Sequence, residues 1–352
     1  MAAPEPQRET EPPAEAKLPP GGLWTKLTES TTESPGHLAE QLLLSLRSRN
    51  GPQAPTLHDE FMLNQLLARL GLEIEQQVDV ETNRFSRRFL HDLFHTYFAG
   101  PGTRESTIEG STYLELGCGS MNPLSLLTVF VLLGAKRAIG VDLDPVHDVS
   151  IAARALARTA SYLLTDPRLI VGDYPITREQ VAHNVRSLDL LKLCQGDPSG
   201  LDESLLAFRN ESVYELSLDD DSVDGVFSNS FLEHIEDLDR AIEEIARVTR
   251  KHGIGCHNID GEDHGSHTDP DQHPLAFLTV EPERGLVRGC NRLRPLSYLP
   301  IFESHGFEIL DTQIWGRQPV DDTLRAKFVE PFRSMPLDRL EVSGLIIRIR
   351  KL

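Results

Sequence analysis

The stretch Thr112–Asp144, TYLELGCGSMNPLSLLTVFVLLGAKRAIGVDLD, decides the fold. Its first residues, through Leu114-Glu115-Leu116, form a short run with the character of a buried strand. Gly117-Cys118-Gly119-Ser120 follows as a glycine turn. The spacing then predicts a helix from Asn122 to Leu133, apolar nearly all round, as befits a helix packed on a sheet. Gly134 stands where a C-cap glycine belongs, and a second strand, Arg137 to Val141, delivers Asp142 at its carboxyl end. Strand, glycine turn, helix, strand, acid is the pattern of an open parallel sheet that binds ligands at the carboxyl ends of its strands. Gly117 and Gly119 lack a Cβ, so the backbone can turn tightly and a ligand can approach it. Asp142, about 25 residues after Gly117, is placed to accept hydrogen bonds from ribose hydroxyls. The turn has no third glycine to seat a pyrophosphate and no Lys-Ser/Thr pair for a P-loop. A nucleoside without phosphates fits it better.

On E-L-G-C-G at Glu115–Gly119 and G-V-D-L-D at Gly140–Asp144, the chain from about Ser111 to Leu352 resembles the class I S-adenosylmethionine-dependent methyltransferases, in a type 11-like form. The resemblance implies a Rossmann-like α/β fold: a seven-stranded, mostly parallel sheet whose last two strands form an antiparallel hairpin at one edge. It implies S-adenosyl-L-methionine as cofactor, bound by Glu115, Gly117, Cys118, Gly119, Asp142 and Leu143. An acid after the third strand would meet the adenine amino group, a place that falls near Glu211 or Ser212. The stretch Asp219–Ile235 resembles the family's fourth motif, which implies that Ser228 and Asn229, ending the fourth strand, line the methionine end and the acceptor. His234 begins the next segment and is a candidate for contact with substrate.

Composition narrows the partners. The chain has 352 residues and a formal net charge of −19, from 35 Lys and Arg against 54 Asp and Glu. That balance argues against general nucleic-acid binding and against docking on an anionic membrane. The longest apolar run, around Leu124–Leu133, is too short to span a bilayer. No secretory signal opens the chain. The four cysteines, Cys118, Cys194, Cys256 and Cys290, have no C-x-x-C spacing and fit reduced thiols in a cytoplasmic protein.

Residues 1–22 are rich in Pro, Glu and Ala and are expected to be disordered. Residues 23–105 are expected to form a helical cap, with helices at 37–48, 57–70 and 85–98. Arg84, Arg87 and Arg88 there are either an anion grip or a solvated face. The domain proper would run over 106–352. Within it a helix is expected at 146–164, and an insertion of about 166–208 near the active-site mouth, with helices at 176–194 and 201–208. Strands are expected at 212–216, 223–228, 253–259, 307–314 and 342–349, and helices at 237–250 and 295–305. The connection 318–340 is long enough to cover a substrate.

The stretch CHNIDGEDH, Cys256–His264, falls at the end of the fifth expected strand. Buried polar groups are costly unless paired or used. His257 or His264 is a candidate base, with Asp260 or Asp263 orienting it, since imidazole titrates near neutrality. A divalent metal held by these side chains is a second reading, not the favoured one. A polar loop with capping roles is a third. A histidine base suits a hydroxyl acceptor, whose proton must be removed. The combination G-x-x-x-H-N-I-D-x-x-D-H, P-L-A-F-L and N-R-L-R-x-x-x-Y-x-x-x-F-x-x-x-G-F, from Gly253 to Phe307, resembles bacterial methyltransferases of surface-polysaccharide and glycan biosynthesis. It suggests a sugar or glycan-precursor hydroxyl in a substrate-side segment of about 260–295. Arg292 and Arg294 would hold the acceptor, since arginines grip anions bidentately; Arg284 and Arg288 stand nearby. N- or C-methylation of a small metabolite, and a nucleotide-binding protein of the same fold without turnover, are the alternatives.

Overall fold

The computed structural model describes residues 87–98, 100–104, 107–267, 269, 271–281 and 286–352. The expected tail 1–22, the helices 37–48 and 57–70, Arg84 and Arg284 lie outside the described residues. Of the expected cap, helix α1 (Arg87–Phe98) is described.

The described strands form one sheet: β1 (Thr112–Leu116), β2 (Arg137–Asp142), β3 (Leu206–Asn210), β4 (Val223–Asn229), β5 (Thr249–Asp260), β6 (Phe307–Arg317) and β7 (Val342–Lys351). Their order is β3-β2-β1-β4-β5-β7-β6. β1 pairs parallel with β2 and β4, and β7 runs antiparallel between β5 and β6. This is the seven-stranded Rossmann-like arrangement that the sequence implies. The chain steps outward from β1 to β3, then crosses back to β4. The carboxyl ends of β1 and β4 therefore flank the switch point where such sheets bind ligands.

Alternation along the central strands divides the core. Tyr113, Ala138, Phe227 and Cys256 pack on one face beneath α1, α2 (Ser125–Leu132) and α3 (Val149–Thr165). Leu114, Val141, Val226 and Ile259 pack on the other, beneath α4 (Leu238–Val248) and α5 (Tyr298–Ser304). All eight residues of α2 are buried, as a helix between sheet and outer helices requires. Phe227 anchors the first face: its ring stacks on Tyr97 at 4.7 Å and lies 5.4–5.8 Å from Phe98, Tyr113 and Phe130. Arg348 on β7 ties α1 to the sheet by donating to the Thr96 carbonyl at 2.9 Å and to Asp311 at 2.7 Å. Among the described residues no helix is long and apolar enough to cross a membrane.

Three expectations are corrected. The third strand is Leu206–Asn210, paired with Ala138–Asp142, where the sequence pattern suggests a helix. Residues 212–216 form a turn in which Val213 and Leu216 plug the second face of the core. Alternating apolar residues there mimic a strand, while β3 is specified by its distant partner rather than by its own propensity. The expected helix at 176–194 is broken into Arg178–Asn184, a 3-10 turn at Val185–Ser187 and Leu190–Cys194. This insertion packs on the α2–α3 layer. Asn184 donates to the Leu132 carbonyl at the C-terminal end of α2, opposite the glycine turn, while Gly196, later in the same insertion, lies against Ser150 and Arg154 at the N-terminal end of α3. The connection after β6 builds a separate small core, in which Val320, Phe328, Val329, Phe332 and Leu340 pack against Leu275, Phe277, Leu278 and Val287.

Truncating Phe227 to Ala removes the ring that four aromatic neighbours share. A loss of about 3–5 kcal/mol is expected, read as a lower denaturation midpoint with an unchanged m-value.

Candidate functional site

The glycine turn and Asp142 meet at the carboxyl ends of β1 and β2. Gly117 adopts φ +65° and Gly119 φ +82°, and a Cβ on Gly117 would overlap the Phe231 ring. The Gly117 and Cys118 amides donate to the Val141 carbonyl at 2.9 and 3.3 Å. Gly119 N–H donates to Asp142 Oδ2 at 2.7 Å, and Asp144 N–H donates to Oδ1 at 3.0 Å. A carboxylate offers about four lone-pair positions, so both oxygens of Asp142 retain capacity for further donors. Leu143 beside it is 75% exposed, and Met121, just beyond the turn, is 41% exposed. These are apolar surfaces left uncovered at the mouth. A glycine cradle, an acid with acceptor capacity and a flanking apolar side chain fit a nucleoside.

Glu115 lies behind the turn, buried. Burial pushes its carboxyl up to about 8, partly offset by the neighbouring Tyr97 hydroxyl. Burial also raises the Cys118 thiol well above its usual range, helped by the charges of Glu115 and Asp142. Glu115 stands under the turn and Cys118 is part of it.

With β3 ending at Asn210, Glu211 directly follows a strand's carboxyl end, the position expected of the adenine-contacting acid. Its carboxylate is engaged by Ser217, whose N–H donates to Oε2 at 3.3 Å, and lies 3.8 Å from Arg209. Ser212 Oγ accepts from Tyr214 N–H at 3.3 Å. Asn210, which no sequence motif singles out, donates to the Asp142 and Leu143 carbonyls at 3.1 and 2.7 Å. It pins the loop that carries the acid.

Across the switch point, Asn229 ends β4 and accepts from Asn258 at 2.9 Å, and Trp315 donates to Asn258 Oδ1 at 2.7 Å. The Trp315 ring is 46% exposed, and it lies against Gly344, the β7 residue opposite Asp260. Ser228, expected to line the crevice, is instead fully buried and hydrogen-bonded to His257 Nδ1 at 2.8 Å.

His257 is corrected with it. It is fully buried, stacked on Phe302 at 5.1 Å, and its Nε2 points back along the sheet toward Gly255. Burial depresses its imidazole to about 3. It sits three residues before the end of β5, facing α5, and is a core histidine rather than a base. Asp263 is corrected too. It is fully buried, paired with Arg288, and accepts from Gly265 N–H at 3.0 Å, so it orients no histidine. Arg292 and Arg294 are not substrate grips. Arg292 donates to the Val280 carbonyl and covers the Phe332 ring at 5.3 Å. Arg294 is 1% exposed and gives its guanidinium to three carbonyls: Leu340 at 3.0 Å, Gly261 at 2.7 Å, and Val342. These arginines are internal clamps for the ends of the 260–295 segment. Arg88 is paired with Asp92 on the outer face of α1.

What gathers at the end of β5 is a different set. His264 Nε2 and His267 Nε2 lie 3.9 and 3.8 Å from Asp260 Oδ2. The His264 ring is 4.9 Å from that of His234 and 5.2 Å from that of His267. Burial and the neighbouring His234 lower the His264 imidazole, so it is neutral and able to accept a proton near pH 7. Glu233 bridges the segments, accepting from Asp260 N–H at 3.3 Å; burial pushes its carboxyl up to about 8. Trp315 on β6 and Cys290 in the turn after Val287 join these groups without standing out in the sequence, because each comes from a separate, distant segment.

Residues 178–256, from the insertion through β4 into β5, match a family described as a methyltransferase domain. The match does not extend to the glycine turn or Asp142. No curated protein matches the chain. Among solved structures, the chain is similar to the [4+2]-cyclase SpnF (17% identity, 85% of this chain and 97% of that one, TM-score 0.40). It is similar to a SAM-dependent methyltransferase from Methanosarcina mazei (17%, 69% and 93%, TM-score 0.38). It is also similar to an S-adenosylmethionine-dependent methyltransferase from Mesorhizobium loti (16%, 70% and 93%, TM-score 0.37).

The buried Glu115 predicts a pH signature. Its ordinary value is 4.5 and its folded value about 8, so the folded state binds the extra proton. Stability is then highest below pH 4.5 for this group and falls as pH rises toward 8. Glu115→Gln should flatten the fall in melting temperature across that window. An unchanged slope would place the carboxyl in water. Arg294→Met should cost about 3–5 kcal/mol by chemical denaturation, because three buried carbonyls lose their donor.

Proposed function

We propose that this protein is an S-adenosylmethionine-dependent methyltransferase that methylates a hydroxyl of a small molecule. The observation that carries the reading is the Gly119 N–H bond to Asp142, which joins a glycine turn to a ribose-competent acid at the sheet's ligand edge. The matched methyltransferase segment supports it. Asp142 would accept from the ribose hydroxyls. Leu143 would cover one face of the adenine, and Glu211 at the end of β3 lies where the ring's amino group is expected. Gly117, Cys118 and Gly119 would line the methionine side, with Glu115 behind them as a neutral donor. The bound cofactor supplies an electrophilic methyl group on a sulfonium whose thioether leaves without charge.

On the acceptor side, a hydroxyl must lose its proton as the new bond forms. The cluster around Asp260 suits that proton transfer, because the imidazoles of His264 and His267 flank a carboxyl group that would stabilise a proton received by either one. His234 adjoins them. With Arg292 and Arg294 committed to carbonyls, the acceptor edge offers His, Asp, Asn and an exposed indole. Such groups hydrogen-bond and cover a neutral polyol, which supports a sugar or glycan-precursor hydroxyl over an anionic metabolite.

Titration calorimetry with S-adenosylhomocysteine should show one site, and Asp142→Ala should weaken it at least about tenfold, since two hydrogen bonds to a charged acceptor are lost. Binding of NAD in its place, or equal affinity in the variant, would overturn the donor assignment. His264→Ala and Asp260→Asn should leave that affinity intact and lower turnover about 10²–10⁴-fold. The product is detected as a 14 Da gain in glycan precursors. Full turnover in both variants would remove the proton-acceptor role.

A further inference from the structure

The histidines at the end of β5 do not stand alone. His234, His264 and Cys290 present one ligand atom each, and all three atoms lie within 4.8 Å of one another. They come from three separate segments: the 3-10 turn Leu232–His234, the turn opening with His264, and the bridge Val287–Cys290. We propose that these three side chains form a binding site for a divalent d-block cation of the zinc or cobalt type.

Each ligand is oriented by its surroundings. His234 Nδ1 lies 2.8 Å from the Gly289 carbonyl. A carbonyl only accepts, so Nδ1 carries the proton and Nε2 holds the lone pair. A ring N–H given to a backbone carbonyl is the usual outer-shell arrangement of a metal-bound histidine. His264 Nε2 is buried and has no hydrogen-bond partner. Cys290 is buried at the end of a tight turn, closed by Val287 and Cys290 amide–carbonyl bonds of 2.8 and 3.0 Å. Arg288 and Gly289 in the middle of that turn both have positive φ, which swings the Gly289 carbonyl toward His234.

The three segments are also clamped to one another. Arg288 pairs with Asp263, the residue before His264. Asn291, next to Cys290, donates from its amide N–H to the Glu233 carbonyl at 2.7 Å, and from its side chain to the Leu232 and Ile235 carbonyls at 2.9 and 3.0 Å. The ion pair to the buried Asp263 and the asparagine thus hold the donor atoms together independently of any substrate. Closing on a tetrahedral ion requires ligand atoms roughly 3.3–3.7 Å apart, given metal–nitrogen and metal–sulfur bonds of about 2.0–2.3 Å. The set, within 4.8 Å, would close by a contraction of up to about 1.5 Å. A thiol with two imidazoles selects zinc-like ions over magnesium or calcium. Three protein ligands leave a fourth position open, the pattern of a catalytic rather than a structural site.

Asp260 Oδ2 is 3.9 Å from His264 Nε2, and His267 stands on the other side of that carboxylate. If the methyltransferase reading holds, on which this role alone rests, the ion would supply Lewis acidity to the acceptor hydroxyl, with His264 as a ligand and the His267–Asp260 pair left to receive the proton.

The test uses the purified full chain, stripped with chelator and loaded with cobalt(II), without cofactor or acceptor. One cobalt per chain is expected, with tetrahedral ligand-field bands and a thiolate-to-cobalt charge-transfer band. Cys290→Ser should abolish the charge-transfer band, and His234→Ala and His264→Ala should each weaken binding at least tenfold. His267→Ala should retain both band and stoichiometry. Circular dichroism and a thermal melt verify that each variant is folded, and Cys290→Ala serves if the serine variant is not. No stoichiometric cobalt, a charge-transfer band surviving in a folded Cys290 variant, or loss of metal in His267→Ala instead would overturn the site. S-adenosylhomocysteine calorimetry on the same samples separates the two ideas. Cofactor binding without cobalt removes the metal site and keeps the enzyme reading; cobalt without cofactor binding does the reverse.

Discussion

A single hydrogen bond, from the Gly119 amide to the Asp142 carboxylate, joins the two strand ends on which the donor side of the site depends. It is charge-assisted, hence stronger than a neutral amide bond. It uses one lone pair of Oδ2 and leaves others free. It also requires the left-handed backbone of the turn, since Gly117 and Gly119 both have positive φ. Without glycine there, the turn would be strained and Phe231 displaced. The turn therefore cannot be altered without disturbing the acid, and the acid cannot be altered without freeing the turn. Asn210 adds a third strand to the same constraint by holding the carbonyls of Asp142 and Leu143.

The acceptor side is built on a different principle. The donor side is held by backbone at strand ends; the acceptor side is made of loops, which need clamps. Arg294, Arg292 and Asp263–Arg288 are those clamps. Buried guanidinium groups are expensive to desolvate, and the cost is offset here because Arg294 satisfies three carbonyls that would otherwise be orphaned in a crossing of loop and strand. The small core of Phe277, Phe328 and Phe332 excludes water from the back of the same loops. A rigid acceptor edge results without regular secondary structure.

This contrast explains what is legible in the sequence. The donor side can be read from Thr112–Asp144 because its geometry is local: strand, turn, helix and strand follow one another, and the decisive atoms are backbone. The sheet order follows from the same stretch and its resemblance. β3 escapes a local reading because Leu206–Asn210 takes its conformation from β2, far back along the chain, and Val213 and Leu216 carry an alternation that belongs to a plugged turn. Residue type alone points Ser228 and His257 to the crevice. Strand parity directs them instead onto the α5 face, where they bond each other. The arginines near 290 resemble anion grips because a sequence shows charge and not burial. Cys290 has the look of a scattered thiol, since nothing in its spacing connects it with His234.

The two sides meet at Glu233. Its backbone carbonyl takes the Asn291 amide, and its side chain takes the Asp260 amide at 3.3 Å. It follows closely on Phe231, which packs on Gly117. One short segment after β4 thus touches the glycine turn at one end and the histidine cluster at the other. Glu233 is buried, with its carboxyl pushed up to about 8, so near neutrality it stays protonated and brings no negative charge against Asp260. The fold sets Asp260 beside the imidazoles, where a proton or a cation leaving or entering the site would meet it. Because the segment between β4 and α4 contacts both sides, a shift of the donor turn against Phe231 would be carried through Glu233 to the acceptor groups.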